Sequence, residues 1–546
     1  MSAIGAYSMS RQARCTWVRG RRHSVPGVVR GRVVMGLLFF PRGGSAQVAR
    51  YLSTALSAAG WTVELVTGSL GELGDETHAP TFFAGTSVQY LDYSNAVRLF
   101  RAGGSGVGAP VPMHPSFEDR EGAPDVFLAA VPADLVDHLS LVWEGPFRAA
   151  GADRADVFHL HHLTPQHVAV RRWWPHGAVV AHLHGTELKF LEALNRRVAL
   201  ARSVGTTLAG MPDWARANPE PASQVSVSER EVLRTTRWEQ WVHGEAWRDR
   251  LRRQADAADH LVVVSPADRA VAVELLGVDA ERVSDVPNGV DVTTFRPRPM
   301  SPLRRRALFR RWLVEDPRGW DESAIAGAVA YREADLDRLL GPVGDATVLI
   351  FVGRFTAAKR VPLLVRAFAR ARPRFRPPTS LVVWGGHPGE WEGEHPVTVA
   401  GRSGSDGVFF AGWRGHDDLP DALAACDALV IASVNDSYPQ APLEAMAVGL
   451  PVIATTSGGF PLMINRDHTR PTGWLVPADD EAAFSEAMVE AANQPHEIAQ
   501  RGDAALAHAR TQLSWSGRVS QFENVYALAI DRRARRAEQP RSAATP

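Results

Sequence analysis

Val33-Val-Met-Gly-Leu-Leu-Phe-Phe40 is a continuous apolar run, and it ends in Pro41-Arg-Gly-Gly44. Ser45 to Gly60 then carries apolar residues at helical spacing up to a glycine stop, and Trp61-Thr-Val-Glu-Leu-Val-Thr67 reads as a second strand. Strand, helix and strand in this order form a β-α-β unit, the building block of a parallel sheet with helices on both faces. The same grammar returns in Asp156-Val-Phe-His-Leu-His-His162, Ala178-Val-Val-Ala-His-Leu-His184 and His260-Leu-Val-Val-Val-Ser265. A first doubly wound domain is therefore predicted over 33–297, with an insert at 186–257.

Residues 298–344 are rich in proline, arginine and acid without a clear strand, and read as a linker or insert. Beyond them the grammar restarts at Ala346-Thr-Val-Leu-Ile-Phe-Val352. It continues through Thr379–Trp384, Gly407–Ala411, Ala428–Ala432 and Pro451–Thr455, so a second domain is predicted over 345–514. The fold class is α/β: two Rossmann-like domains facing across a cleft at the carboxyl ends of their strands, where open sheets bind ligands. An amphipathic helix at 515–531 closes the chain by crossing back to the first domain, and 532–546 read as a disordered tail. Within the insert, Ser228-Glu-Arg-Glu231 looks like a capping box opening a long helix, and Trp214, Trp238, Trp241 and Trp247 either pack against the domain or form an acceptor-facing lid.

Bulk properties exclude several classes. The 60 basic and 60 acidic residues cancel, which argues against nucleic acid or an anionic membrane read by overall charge. Two cysteines, Cys15 and Cys426, give neither a disulfide framework nor a metal cluster. No apolar run approaches the ~18 residues of a membrane-spanning helix. Residues 1–32 hold seven arginines and no acid, and read as a disordered extension or a misplaced start, or as an arm touching phosphates or lipid headgroups. A cytoplasmic enzyme, at most peripherally associated with membrane, is expected.

Of the 60 basic residues only Lys189 and Lys359 are lysines; a surviving lysine suggests a job that arginine's broad fork does poorly, and Lys359 is the anchor of the reading. Gly353-Arg354 follows a strand directly and Lys359 opens the next helix. Two cations beside free backbone N–H groups make a site for a dianion such as a diphosphate. Gly43 and Gly44, at the first strand-to-helix turn, permit close backbone approach to phosphate or sugar oxygens. Asp436 lies on a loop after a strand. Glu444 opens a helix among core-like neighbours, where a buried carboxylate needs donors such as ribose hydroxyls.

These residues, with His184-Gly-Thr-Glu187, Ser265, Val286-Pro-Asn-Gly-Val-Asp291, Phe295 and Thr456-Ser-Gly-Gly459, resemble the family 4 glycosyltransferases of the GT-B fold, in order and over roughly 33–530. The resemblance implies retaining, metal-independent transfer of a hexosyl group from a nucleoside diphosphate sugar to an acceptor it does not identify. It implies that Arg354 and Lys359 neutralise the leaving diphosphate, that Gly43, Gly44 and Gly353 line the donor, and that Glu444 holds the ribose. Asp436, with Ser437 beside it, would meet the donor sugar, His184 the sugar face, and Phe409 and Phe410 the nucleobase. No cofactor or metal is implied. The partners expected are a nucleotide sugar and a lipid, glycan or small-metabolite acceptor.

Three positions depart from the family pattern: Asp436 is one methylene shorter than the usual glutamate, Arg360 follows the lysine where glycine is usual, and Gly458-Gly-Phe-Pro-Leu462 lacks the usual acid. His159, His161, His162, His182 and His184 alternate on strands and could be read as zinc ligands, although no cysteine or carboxylate completes a clear set. Two rival functions share this architecture: a nucleotide-sugar epimerase, and a sugar-nucleotide-binding protein without catalysis. A phosphorylase is disfavoured, because it needs a lysine for pyridoxal phosphate.

Overall fold

The computed structural model describes residues 30–38, 44–75, 77–120, 123–219, 226–464 and 469–538. Residues 1–29 of the basic extension, Gly43, and 539–546 lie outside them. The first domain holds β1 (Arg32–Leu37), β2 (Thr62–Ser69), β3 (Ser87–Asp92), β4 (Val157–His161), β5 (Ala178–His182), β6 (His260–Val263) and β7 (Val283–Asp285). They form one seven-stranded sheet in the order β3-β2-β1-β4-β5-β6-β7. The second holds β8 (Thr347–Val352), β9 (Thr379–Trp384), β10 (Val408–Gly412), β11 (Ala428–Ile431), β12 (Val452–Thr455) and β13 (Gly473–Val476), a six-stranded sheet in the order β10-β9-β8-β11-β12-β13.

Every strand pairing is parallel. Helices on both faces bury the strands on both sides, so Val33, Val34, Met35 and Leu37 are all fully buried, as an unbroken apolar run requires. In each sheet the strand order reverses beside the first strand, between β1 and β4 and between β8 and β11. Those two switch points open the crevices in which such sheets take ligands.

Residues 298–344 are not a linker. A helix (Pro302–Arg310), a π-turn (Arg311–Glu315) and a short helix (Asp335–Leu340) lie on the outer strands of the second sheet. Phe309, Trp312, Trp320, Leu336 and Leu339 are buried there. Trp320 Nε1 donates to the Gly386 carbonyl at 2.8 Å, and the Trp312 and Trp384 rings meet edge-on at 5.0 Å.

The insert differs in detail. The sequence repeats the Ser-x-x-Glu spacing, and the capping box forms on Ser226 and Glu229, two residues before the predicted one; the helix runs only over Val227–Thr235. Trp238, Trp241 and Trp247 are buried in the first domain's core, with Trp247 Nε1 donating to Val131 O at 2.7 Å. They are packing residues.

The last helix, Trp515–Glu538, is longer than predicted and packs on the first sheet through Phe522 and Tyr526. Arg533 and Arg536 lie 3.7 and 3.6 Å from the buried Asp259 carboxylate, which ties down a charged segment that composition alone reads as disordered. The crossover is fixed where Val290 N donates to Leu513 O at 2.8 Å and Trp515 N donates to Val290 O at 3.1 Å. A Cβ on Gly289 would sit 2.8 Å from Trp515 backbone atoms, so the Asn288-Gly289 step is glycine because two chain segments cross there. Among the described residues no helix is long and apolar enough to cross a membrane.

Candidate active site

β8 delivers Gly353-Arg354 to the cleft. Its neighbour β9 is followed by Gly385, whose φ of +121° and near contact with the Gly353 carbonyl leave room only for glycine. A 3-10 turn, Ala357–Lys359, leads through Arg360 into the helix Val361–Ala371. Arg360 stands at φ 52°, the left-handed region that glycine adopts freely, and its guanidinium holds Asp479 at 2.6 Å.

β11 delivers Asp436, and the structure brings it to Lys359: Nζ donates to Oδ2 at 2.6 Å. Burial alone would raise the Asp436 carboxyl, but the Lys359 ammonium, by charge and hydrogen bond, outweighs it and holds the group below the usual carboxylate range. The loop is clamped from behind by Gly458 and Gly459 after β12, for Gly459 N donates to the Asp436 carbonyl at 2.8 Å. A Cβ on Gly458, at φ +62°, would meet that carbonyl at 2.2 Å. Gly458→Ala is therefore expected to displace the Asp436–Ser437 loop and lower kcat roughly ten- to hundred-fold, with a folded far-UV spectrum. Unchanged kcat would show that the loop's position is immaterial.

The helix Gln440–Val448 follows and buries Glu444, which is 2% exposed. Its Oε1 lies 3.3 Å from His416 Nε2 without hydrogen-bond geometry, and neither amide atom of Gln440 finds a partner among the described residues. Buried polar atoms in that state call for a ligand with donors and acceptors. Tyr51, on the first-domain helix Gly44–Ala58, faces the same spot; burial, then the Glu444 charge, raises its hydroxyl well above the usual range. Gly44 opens that helix, and a Cβ there would meet nothing within 4 Å.

The first domain contributes the ends of β4 and β5, where His161 pairs in register with His182. His159 bonds Tyr526 Oη at 2.8 Å and His182 at 3.1 Å, His161 bonds His184 at 2.9 Å, and His162 bonds Glu187 at 2.8 Å. Burial, reinforced by neighbouring imidazoles, holds His161, His182 and His184 far below the usual histidine range, so these three are neutral. Ring nitrogens of His159, His161 and His182 lie within 4.8 Å of one another and could by geometry hold a metal ion, although those of His159 are already engaged.

The two walls touch. Gly185, at φ +85°, leaves space that a Cβ would lose to Ser437 Oγ at 2.3 Å. Ser437 donates to Asp268 Oδ1 at 3.0 Å, and Ser265 Oγ donates to Asp268 Oδ2 at 2.6 Å. Asn288 Nδ2 reaches the Tyr438 carbonyl at 2.9 Å. The motifs His184-Gly-Thr, Ser265 and Asn288-Gly thus all meet the Asp436 loop.

One assignment is corrected. Phe409 and Phe410 are buried core residues; the Phe409 ring lies 5.1 Å from Tyr331 and beneath Arg338, so the 298–344 segment covers it and no aromatic face is left for a base. Two partners were not anticipated. Glu118 accepts both terminal nitrogens of Arg354, at 2.7 and 2.9 Å. Lys189 acts by its charge on Glu118, Asp268 and Asp436 together, and its rarity was the available signal.

A Glycosyltransferase Family 4 model matches residues 114–294 and a Glycosyl transferases group 1 model matches 346–494. A D-inositol 3-phosphate glycosyltransferase of Stackebrandtia nassauensis is 27% identical over 480 residues, covering 84% of this chain and 89% of its own length. One from Streptomyces coelicolor is 30% identical over 286 residues, but this covers only 51% of this chain and 57% of that relative. Among solved structures, the catalytic domain of Arabidopsis thaliana starch synthase IV bound to ADP and acarbose aligns with TM-score 0.57 at 14% identity, over 92% of this chain and all of that one. Sucrose-phosphate synthase from Thermosynechococcus elongatus aligns with TM-score 0.55 at 17% identity, over 92% of this chain and 100% of its own. At these identities the structures speak for the fold.

Proposed function

The chain belongs to the family 4 glycosyltransferases of the GT-B fold, and from that premise we propose retaining, metal-independent transfer of a hexosyl group from a nucleoside diphosphate sugar to an acceptor hydroxyl. The observation that carries this reading is the convergence of Arg354, Lys359 and Asp436 from the second domain with the His184-Gly185 turn of the first.

In the reaction the anomeric C–O bond to the diphosphate breaks as the acceptor oxygen bonds the anomeric carbon on the same face. The acceptor proton passes to the leaving diphosphate oxygen. Charge grows on that oxygen, and Arg354 and Lys359, fixed in advance, stabilise it where water would have to reorganise. Asp436 orients the Lys359 ammonium and keeps its second oxygen for a sugar hydroxyl. Glu444 and Gln440 supply buried hydrogen-bonding atoms for the ribose.

The test is acceptor-dependent release of nucleoside diphosphate from UDP-, GDP- and ADP-sugars, with inositol phosphates, simple polyols and lipid alcohols as acceptors and the product anomer read by NMR. Interconversion of nucleotide sugars without a glycosylated product would favour an epimerase. An inverted anomer would remove the retaining reading. With the cations supplied by Arg354 and Lys359, turnover is expected to survive exhaustive EDTA treatment. Loss that only added metal restores would instead give the charge-neutralising role to a metal ion.

A further inference from the structure

Glu118 and Arg354 are 236 residues apart and lie on opposite walls of the cleft. Glu118 is firmly held: its N–H donates to Ser116 Oγ at 3.1 Å, Ser116 forms a lone β-bridge with Phe127, and Phe117 packs on Phe190 at 5.6 Å. Both terminal nitrogens of Arg354 are spent on it in a two-pronged pair, the geometry that guanidinium also offers to two phosphate oxygens. A carboxylate and a leaving diphosphate cannot hold the same prongs at once.

We propose that Glu118 is a donor-gating residue: it occupies Arg354 in the diphosphate's place until the nucleoside diphosphate sugar displaces it, and it thereby sets the donor's affinity. The proposal rests on the reading of this cleft as a nucleoside-diphosphate-sugar site. Burial would favour the neutral Glu118 carboxyl, but Arg354, and after it Arg120 and Lys189, bring it down to about 2. The gate is therefore charged at any working pH and opens by competition. Arg120, which also pairs with Asp125 and Glu390, and Lys189 still act on Glu118 by their charge when Arg354 leaves it.

Calorimetric titration of UDP, GDP and ADP into wild type, Glu118→Gln, Glu118→Ala, Arg354→Ala and Glu118→Gln/Arg354→Ala tests this, with thermal unfolding as the check on folding. For whichever nucleotide wild type binds, both Glu118 variants are expected to bind about five-fold tighter, the size of a partly exposed charged pair. Arg354→Ala should bind far more weakly, and the double variant should match Arg354→Ala alone. A merely structural Glu118 would weaken binding when changed. Binding by wild type that does not tighten in either Glu118 variant, or tightening that persists without Arg354, overturns the gate alone. Wild type binding none of the three overturns the donor-site reading first, and the gate with it.

Discussion

Arg354→Ala and Lys359→Ala are each expected to lower kcat by roughly 100- to 1000-fold, the cost of removing one preorganised donor from a developing oxyanion. The two should differ in stability. The Arg354–Glu118 pair is more than a third exposed on both sides, so its loss costs at most ~1 kcal/mol. Lys359→Ala leaves Asp436, 16% exposed, without its cation, and should lower stability more. Lys359→Arg should also be poor, since a broad fork does not fit the 3-10 turn that aims a compact ammonium at Asp436. Steady-state kinetics with thermal unfolding decide it. Activity within a few-fold of wild type in both alanine variants would remove the diphosphate clamp from this cleft.

The placement of these residues was legible in sequence because a strand-to-helix turn fixes its own geometry. Gly353-Arg354, Lys359 and the Asp436–Glu444 spacing each sit at the carboxyl end of a strand, so their positions follow from the local pattern. What escaped depends on how remote segments meet. Glu118 lies in a stretch without periodicity, and only the approach of the two walls gives it a partner. Phe409 and Phe410 were placed at the right strand, but a strand's sequence does not say what covers it, and the covering chain was the irregular segment 298–344. That segment hid because a π-turn and two short helices leave no sustained period, although Trp312 and Trp320 marked it as core. The arginines after residue 531 suggested a solvated tail until Asp259, buried on a different strand boundary, supplied their partner.

Below pH ~6.5 the protein is expected to lose stability steeply, before its carboxylates begin to titrate. His159 and His167 are brought down by burial to about 3, and His161 and His182 lie well below their ordinary value for the same cause, reinforced by neighbouring imidazoles. With folded values below the unfolded ~6.5, the unfolded chain takes up protons that the native protein refuses, so stability falls as pH drops from 6.5 toward 3. Each group contributes about 1.4 kcal/mol per pH unit, and the four together approach ~5.5 kcal/mol per unit. Against a total of ~5 to 15 kcal/mol, unfolding should come within about two units of the onset. The depressed carboxyls of Asp436 and Glu118 also favour unfolding in acid, but only at lower pH. Urea midpoints followed by tryptophan fluorescence from pH 7 to 4 give the proton uptake directly from their slope. A flat profile down to pH 5, with unfolding only in the carboxylate range, would mean that the histidine cluster accepts protons in the native state and is not the neutral, buried network that underlies the His184 turn.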